Sequence, residues 1–531
     1  MSKTNPLTRA RKNKAQTLLQ GGQLPQAARI LTEICAKDKR DLDSWFTLAM
    51  IHAQLDELGD AIECFQHIIN LDPNHLDAMT NLGVALFAQD HIDEAQQYLQ
   101  RAANASVEDE VVYYNLACTY QAQGNNIDAI KYFEKAHALD PSNTDCLINL
   151  GVAYKDSEQY DMAIATFQKA MVLKPESPIV LSNLGITNRY IGNMDVALDY
   201  CRKALELDPD YEAGHNNLAT AELVHGNYAE GWKEYEWRLK DKPHAHRFRY
   251  PRWNNEPLQG KTILIHGEQG LGDEIMFASC LPDIIEKAKQ CLIHCDPRLA
   301  SLYTRSFPAA TVHGGVRSGD DDWCRDSNID YQIPVGSLPL TLRNRLDDFP
   351  QHDGYLQADP QRVDHWKDRL DALGAGKKIG ISWRGGTPQT RMHLRSIPLE
   401  QLLPILGQDA HFISLQYTAC ADEIEHLQQQ HGISIHHWQE AIDDYDETAA
   451  MVTALDKVIS IQTSLVHLCG ALGQQAWVLV PGSAEWRYLL KGNRVPWYPS
   501  VRIYRQAIIG QWQQTINTLA ADLGKELADG L

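Results

Sequence analysis

Two hydrophobic patterns divide the chain. Up to about residue 240, small and apolar positions recur with one fixed period. Ala61, Ala95, Ala129, Ala163 and Ala197 stand 34 residues apart, and Ala27 lies one period earlier. Asn81-Leu82, Asn115-Leu116, Asn149-Leu150, Asn183-Leu184 and Asn217-Leu218 repeat at the same spacing. Pro73, Pro141, Pro175 and Pro209 fall in the matching turn, with Val107 at one such place, and Gly124, Gly192 and Gly226 mark the break inside their units. The pattern predicts helix pairs. Each pair leaves an apolar face uncovered, so pairs stack into a superhelix with a concave groove.

From residue 261 the pattern changes to short apolar runs followed by glycine loops and helices. Ile263, Leu264 and Ile265 predict a buried strand, and Gly267, Gly270 and Gly272 a loop. Ile275, Met276, Phe277, Cys280 and Leu281 then form the core face of a helix that begins at Asp273. A strand, a glycine loop and a helix start together predict an anion site built of free backbone N–H groups and the helix dipole. Strands are expected at 290–295, 309–313 and 330–334, a linking helix at 361–370, and a fresh set of strands at 378–383, 411–416, 457–461 and 476–480. Alternating strands and helices imply parallel sheets, and two such sets imply two lobes around a crevice. The expected domains are a repeat array over 10–240, a linker over 241–260, a first lobe over 261–360, a linking helix over 361–376, and a second lobe over 377–531 ending in a helix.

A 34-residue helix–turn–helix period is the mark of tetratricopeptide repeats, and the resemblance covers about seven units. The row Asn81, Asn115, Asn149, Asn183 and Asn217 offers amide donors and acceptors along one side of such an array. It can hold an extended protein or peptide acceptor by its backbone, or it can cap and bridge neighbouring helices. The array resembles that of the O-linked N-acetylglucosamine transferases, whose groove carries a comparable row. Arrays of this kind also self-associate, so a homo-oligomer is a further expectation. After the array, Gly231–Lys240 and the basic stretch Lys242–Trp253 are dense in aromatic residues, which are expected to bury against the next domain.

Charge and composition narrow the function. A net charge of −20 argues against nucleic acid as a main partner. No apolar run reaches the roughly 18–20 residues of a membrane span, and no apolar segment of signal-peptide type follows the basic start. The 11 cysteines show no framework spacing and point to reduced thiols in a cytoplasmic protein. Cys291-Leu-Ile-His-Cys295 reads as core strand, since it lacks the second ligand pair of a zinc site.

Three loops at predicted strand ends carry candidate chemistry. One is the glycine loop ending at Asp273. A second, Trp383–Ser396, combines Gly385 and Gly386 with Arg384, Arg391 and Arg395 and suits a diphosphate. A third, Gln462–His467, places Thr463 and Ser464 at a helix start. Plainer readings stand beside these: Asp273 as a helix-start residue favoured by the dipole, His467 as a core histidine, Arg391 as a solvated side chain. Trp383, Trp486 and Trp497 read as core.

Several segments carry a resemblance to a known family. They are Gly267–Glu274, Arg395-Ser-Ile-Pro-Leu399, Ser414-Leu-Gln416, Thr463–Leu468 with Gly470–Gly473, and Trp497-Tyr-Pro499 with Tyr504-Arg-Gln506. Over about 261–510 they resemble the family-nine glycosyltransferases, the group of the ADP-heptose heptosyltransferases, and more closely bacterial proteins that fuse tetratricopeptide repeats to such a domain, some of which glycosylate flagellin. The resemblance implies an α/β GT-B fold of two Rossmann-like lobes behind the all-α array. It implies a nucleotide sugar as co-substrate, with no metal and no resident cofactor. Asp273 occupies the place of the family's proposed general base. Gly270, Gly272, Arg384, Gly385, Gly386, Arg395, Gln416, Gln462, Thr463, Ser464 and His467 would bind the donor. The family usually has aspartate where this chain has Gln462, and that departure keeps open a scaffold with an inactive transferase-like domain. A nicotinamide-dependent oxidoreductase fits less well, because the glycine order is Gly-x-x-Gly-x-Gly and the arginine loop has no place in that scheme.

Overall fold

The computed structural model describes residues 6–105, 108–240, 248–315, 322–324, 327–386, 392–483 and 485–529. Arg391 and the hinge stretch 242–247 lie outside the described residues. The chain divides into two compact units, Met1–Ile191 and Gly192–Leu531.

The first unit is all helical. Among the described residues its 11 helices run from Pro6–Gln20 to Pro178–Tyr190, each packed on the next. Ala27, Ala61, Ala95, Ala129 and Ala163 are fully buried at the helix crossings. The glycines that follow Asn-Leu obey the same steric limit, since a Cβ on Gly83 or Gly151 would lie 2.5 Å from Leu99 or Phe167 of the next helix. Asp41, Asp109, Asn143 and Ser177 cap helix starts by accepting backbone N–H bonds.

The turn inside each repeat holds one residue in the left-handed region. Gly22 and Gly124 have φ of 69° and 75°, and Gly192 and Gly226 of the second unit have 86° and 91°. At the equivalent place in three other repeats stand Asp56, Asp90 and Glu158, with φ of 61°, 64° and 61°. The glycine period thus continues as backbone conformation where the sequence shows acids.

The second unit begins with helices Met194–Leu207, Glu212–His225 and Tyr228–Tyr235. Its first sheet comprises β1 (Thr262–His266), β2 (Gln290–Cys295), β3 (Ala310–Gly314) and β4 (Tyr331–Pro334), all parallel in the order β3-β2-β1-β4. Helix Pro360–Asp371 leads to the second sheet. Its strands are β5 (Lys377–Ser382), β6 (Ala410–Ser414), β7 (Ile435–His437), β8 (Lys457–Ile461), β9 (Ala476–Val480), β10 (Arg494–Val495) and β11 (Tyr498–Arg505). They lie in the order β10-β11-β9-β8-β5-β6-β7, parallel except for β10 against β11. In each sheet the chain starts near the middle, fills one side and then crosses back. The reversal falls between β1 and β4 in one sheet and between β5 and β8 in the other. At such switch points the outgoing loops diverge and leave a crevice beyond the carboxyl ends of the strands.

One apolar core joins these layers. Trp232, on helix Tyr228–Tyr235, is buried edge-on against Phe277, Trp486 and Trp497, and its indole N–H donates to Arg343 O at 2.8 Å. Phe248 and Trp253 of the hinge are buried as well, and Cys291 and Cys295 lie inside β2. Among the described residues no helix is long and apolar enough to cross a membrane.

The left-handed turns yield a prediction. Glu158→Gly should stabilise the array by about 0.5–1 kcal/mol, because glycine takes positive φ without the Cβ clash that glutamate suffers. Urea denaturation followed by helical circular dichroism measures it. A lowered midpoint would show that the turn is not the strained point.

Candidate functional site

Both crevices open into one cleft of about 950 Å³ within the second unit. Leu271, Gly272 and Asp273 enter it from the loop and helix after β1, and Gln462, Thr463, Ser464 and His467 from the loop and helix after β8. Helix Leu271–Phe277 meets helix Ser464–Ala471 so closely that a Cβ on Gly272 would lie 3.1 Å from His467 Cδ2 and 3.3 Å from Ser464 Cα. Gly272 is therefore first a packing glycine between the two sets of elements.

Asp273 sits in the cleft within a chain of charges. The Arg487 guanidinium gives Asp273 Oδ1 two bonds, the longer from Nε at 3.1 Å. Its Nη1 donates to Glu485 Oε2 at 2.8 Å, and the other oxygen of Glu485 pairs with Arg395. Arg487 also lies 4.6 Å from the centre of the Trp486 ring, which holds the guanidinium in place. Burial works against its charge, but the Asp273 carboxylate, together with Tyr235 and Tyr488, outweighs burial, so Arg487 binds its proton more tightly than a free arginine.

The carboxylates in and beside the glycine loop are engaged by the chain itself. Glu268 bonds the buried Arg238 guanidinium at 2.5–3.2 Å, and Glu274 accepts the Asp296 N–H at 2.9 Å. A Cβ on Gly267 would lie 2.3 Å from Glu274 Oε1, which accounts for glycine there. Gly270 serves as the extended N-cap of helix Leu271–Phe277 and does not line the cleft.

The second loop also departs from expectation. Arg384 turns away from the cleft, pairing with Glu423 at 3.1 Å and donating to Ala419 O at 2.5 Å. Gln416 is buried as a bracket: its Oε1 accepts the N–H groups of Trp383 and Arg384, and its Nε2 donates to Arg384 O at 2.9 Å. Neither residue lines the cleft. Gly385 leaves room for Thr463, whose Cγ2 would lie 2.3 Å from a Cβ. Gly386 does line the cleft, with φ of 86° and its N–H donating to Tyr417 Oη at 3.1 Å. Arg395 is the described arginine of that loop that reaches the cleft.

The third loop holds polar atoms that lack partners. Gln462 Nε2 and Thr463 Oγ1 are buried without a hydrogen bond, and Thr463 makes no side-chain cap to the helix it precedes. Buried donors without partners are costly, of order 1–3 kcal/mol each, so a polar ligand at this wall would relieve them. His467 is a buried wall residue with Nδ1 3.1 Å from Tyr498 Oη. Burial, aided by the nearby Arg487 charge, pushes its pKa down to about 3.

Arg487 and Glu485 were not singled out in the sequence. They follow β9, in a Glu-Trp-Arg-Tyr segment whose tryptophan reads as core, and only the placement of an arginine just beyond a strand end could have marked them.

The asparagine row lies on one set of helices. Asn81, Asn115 and Asn183 donate Nδ2 to the carbonyl four residues earlier, at 2.7, 2.8 and 2.9 Å. Asn149 instead reaches Tyr114 Oη at 3.0 Å on a preceding helix. All four are half-buried in the first unit, and Asn217 is half-buried in the second. The amide donors of the first four are engaged within the array.

Comparison with known proteins agrees with the helical period. Residues 15–136 match the middle TPR-like domain of cilia and flagella-associated protein 70, and 108–175 and 149–212 match tetratricopeptide-repeat families. The protein therefore carries tetratricopeptide repeats. It is 36% identical over 330 residues to Protein FlbA of Caulobacter vibrioides, an alignment taking in 57% of this chain. The chain spans about half, 54%, of that relative's length. Among solved structures it is similar to YrrB, a TPR protein with an unusual peptide-binding site, at 21% identity over 35% of this chain and 96% of that one, with a TM-score of 0.33. Pseudomonas aeruginosa pilF matches at 20% identity over 39% and 94%, with a TM-score of 0.35.

The neutral His467 gives stability a sign with pH. Its folded pKa is depressed, so in the unfolded chain the imidazole takes up a proton below about 6.5 while in the fold it stays neutral down to about 3. Its contribution is complete above pH 6.5 and is lost as the pH falls toward 3. Between pH 6.5 and 5 the loss should be about 2 kcal/mol. Urea unfolding at pH 7.5 and 5.0 should show a smaller difference for His467→Gln than for the wild type.

Proposed function

We propose that the second unit is a nucleotide-sugar-dependent glycosyltransferase of GT-B type, which transfers a sugar to hydroxyl groups of a protein acceptor, flagellin-like, recruited by the repeats. One observation carries the reading: Asp273 from the β1 side and Arg395, Thr463 and Ser464 from the β5 and β8 loops meet in one cleft, whose wall holds buried polar atoms without partners. The resemblance of these loops to family-nine glycosyltransferases supports it.

The residues divide the work between them. Both bonds from Arg487 go to Asp273 Oδ1, leaving Oδ2 to take the proton of an acceptor hydroxyl as its oxygen attacks the anomeric carbon. The bond from that carbon to the nucleotide's terminal phosphate oxygen breaks as the new one forms. Arg395 and the start of helix Ser464–Ala471 stabilise the charge left on the departing phosphate. Thr463 Oγ1 and Gln462 Nε2 donate to donor oxygens. Gln462 is a neutral donor where the resembled family has a carboxylate, and it favours a second reading: a repeat scaffold whose cleft binds without turnover.

Thermal unfolding of the full chain with a panel of nucleoside diphosphates and CMP tests this. A nucleotide present at 100 times its Kd adds about 2.7 kcal/mol of stability, a rise of a few degrees in Tm. One nucleotide should give that rise, and Arg395→Ala should abolish it. Asp273→Asn should keep the rise and lower transfer, read by acceptor mass, by about 10²-fold or more. A rise with no transfer to any acceptor would favour the scaffold, and no rise with any nucleotide would reject the donor site.

A further inference from the structure

We propose that Glu485 is an internal anion occupying the seat of the ligand's phosphate, and that Arg487 is the residue joining this seat to Asp273; the inference rests on the donor reading of the cleft. The geometry is that of one carboxylate bridging two guanidinium groups. One Glu485 oxygen pairs with Arg395 and the other accepts Arg487 Nη1 at 2.8 Å, as two oxygens of a phosphate would. Arg487 presents its remaining edge, Nε and Nη2, to Asp273. One planar group thus faces the phosphate seat on one side and the candidate base on the other.

Charge decides which group must leave. Asp273 and Glu485 balance Arg395 and Arg487, so the four side chains together carry no net charge. All four are largely withdrawn from water, with side-chain exposures of 15–28%. A diphosphate brought against a neutral, partly buried network gains little attraction and repels Glu485. With Glu485 displaced, the same ligand meets two guanidinium groups balanced only by Asp273, a net charge of +1. Glu485 is the most exposed of the four, whereas Arg487 is fixed by Trp486 and Asp273. Glu485 is therefore the group that yields. The exchange keeps Asp273 bonded to Arg487 whether or not ligand is bound.

The seat also differs from the sequence expectation in its membership. Arg384 is engaged elsewhere, and Arg487 takes the second cationic position.

Titration calorimetry of the full chain with inorganic pyrophosphate, and with each nucleoside diphosphate, tests the proposal. Glu485→Gln keeps the size of the side chain and removes its charge. It should bind pyrophosphate about tenfold more tightly than the wild type, an effect that should shrink with added salt. Arg487→Gln placed in the Glu485→Gln background should remove that gain. Glu485→Ser, which leaves the seat empty, should behave as Glu485→Gln does. If both Glu485 variants bind pyrophosphate no more tightly than a wild type that binds nucleotides, the internal anion is overturned and the donor site stands. If neither wild type nor variants bind pyrophosphate or any nucleotide, the donor reading falls with it.

Discussion

The second unit depends on one shared guanidinium. Arg487 is held in a largely buried place, where an isolated charge would cost several kcal/mol, and it is tolerated because carboxylates flank it on two edges and a tryptophan ring lies beside it. One of those carboxylates belongs to the elements after β1 and the other to the loop after β9. The contact therefore fixes the relation of the two sheets at the cleft. Gly272 makes the approach sterically possible, and the Asp273–Arg487 pair gives it a defined geometry.

The repeats were legible because helix crossings admit only small side chains, so alanine and glycine recur wherever two helices touch. Most strands were legible as apolar runs, since parallel strands covered on both faces leave no polar alternation. The three not foreseen have physical reasons. β7 spans only Ile435–His437, β10 only Arg494–Val495, and β11 mixes Pro499, Ser500, Arg502 and Arg505 among its apolar residues.

The candidate site was legible in its loops and less so in its side chains. A loop rich in glycine and arginine announces that the backbone comes close to something. It does not say which way each arginine turns. Arg395 reaches the cleft, whereas Arg384 finds Glu423 and the Ala419 carbonyl behind the loop. Gln416 was expected to bind the donor from the family resemblance of Ser414-Leu-Gln416, yet three backbone groups of the neighbouring loop consume its amide. Arg487 went unnoticed because its role comes from a partner 214 residues away, and no local pattern encodes that. The asparagine row shows the same limit: the period was plain, but an amide at a helical position can turn back on its own helix, as Asn81, Asn115 and Asn183 do.

The acidic residues in the left-handed turns make the array uneven along its length. In a stack where each repeat leans only on its neighbours, stability is a sum of local terms, and strain in one turn is not shared out over the whole. The repeats turning at Asp56, Asp90 and Glu158 are the weak joints of the stack, separated by a sounder one at Gly124. Partial opening would begin at those joints and stop at the glycine, so the array would loosen in segments before it melts as a body.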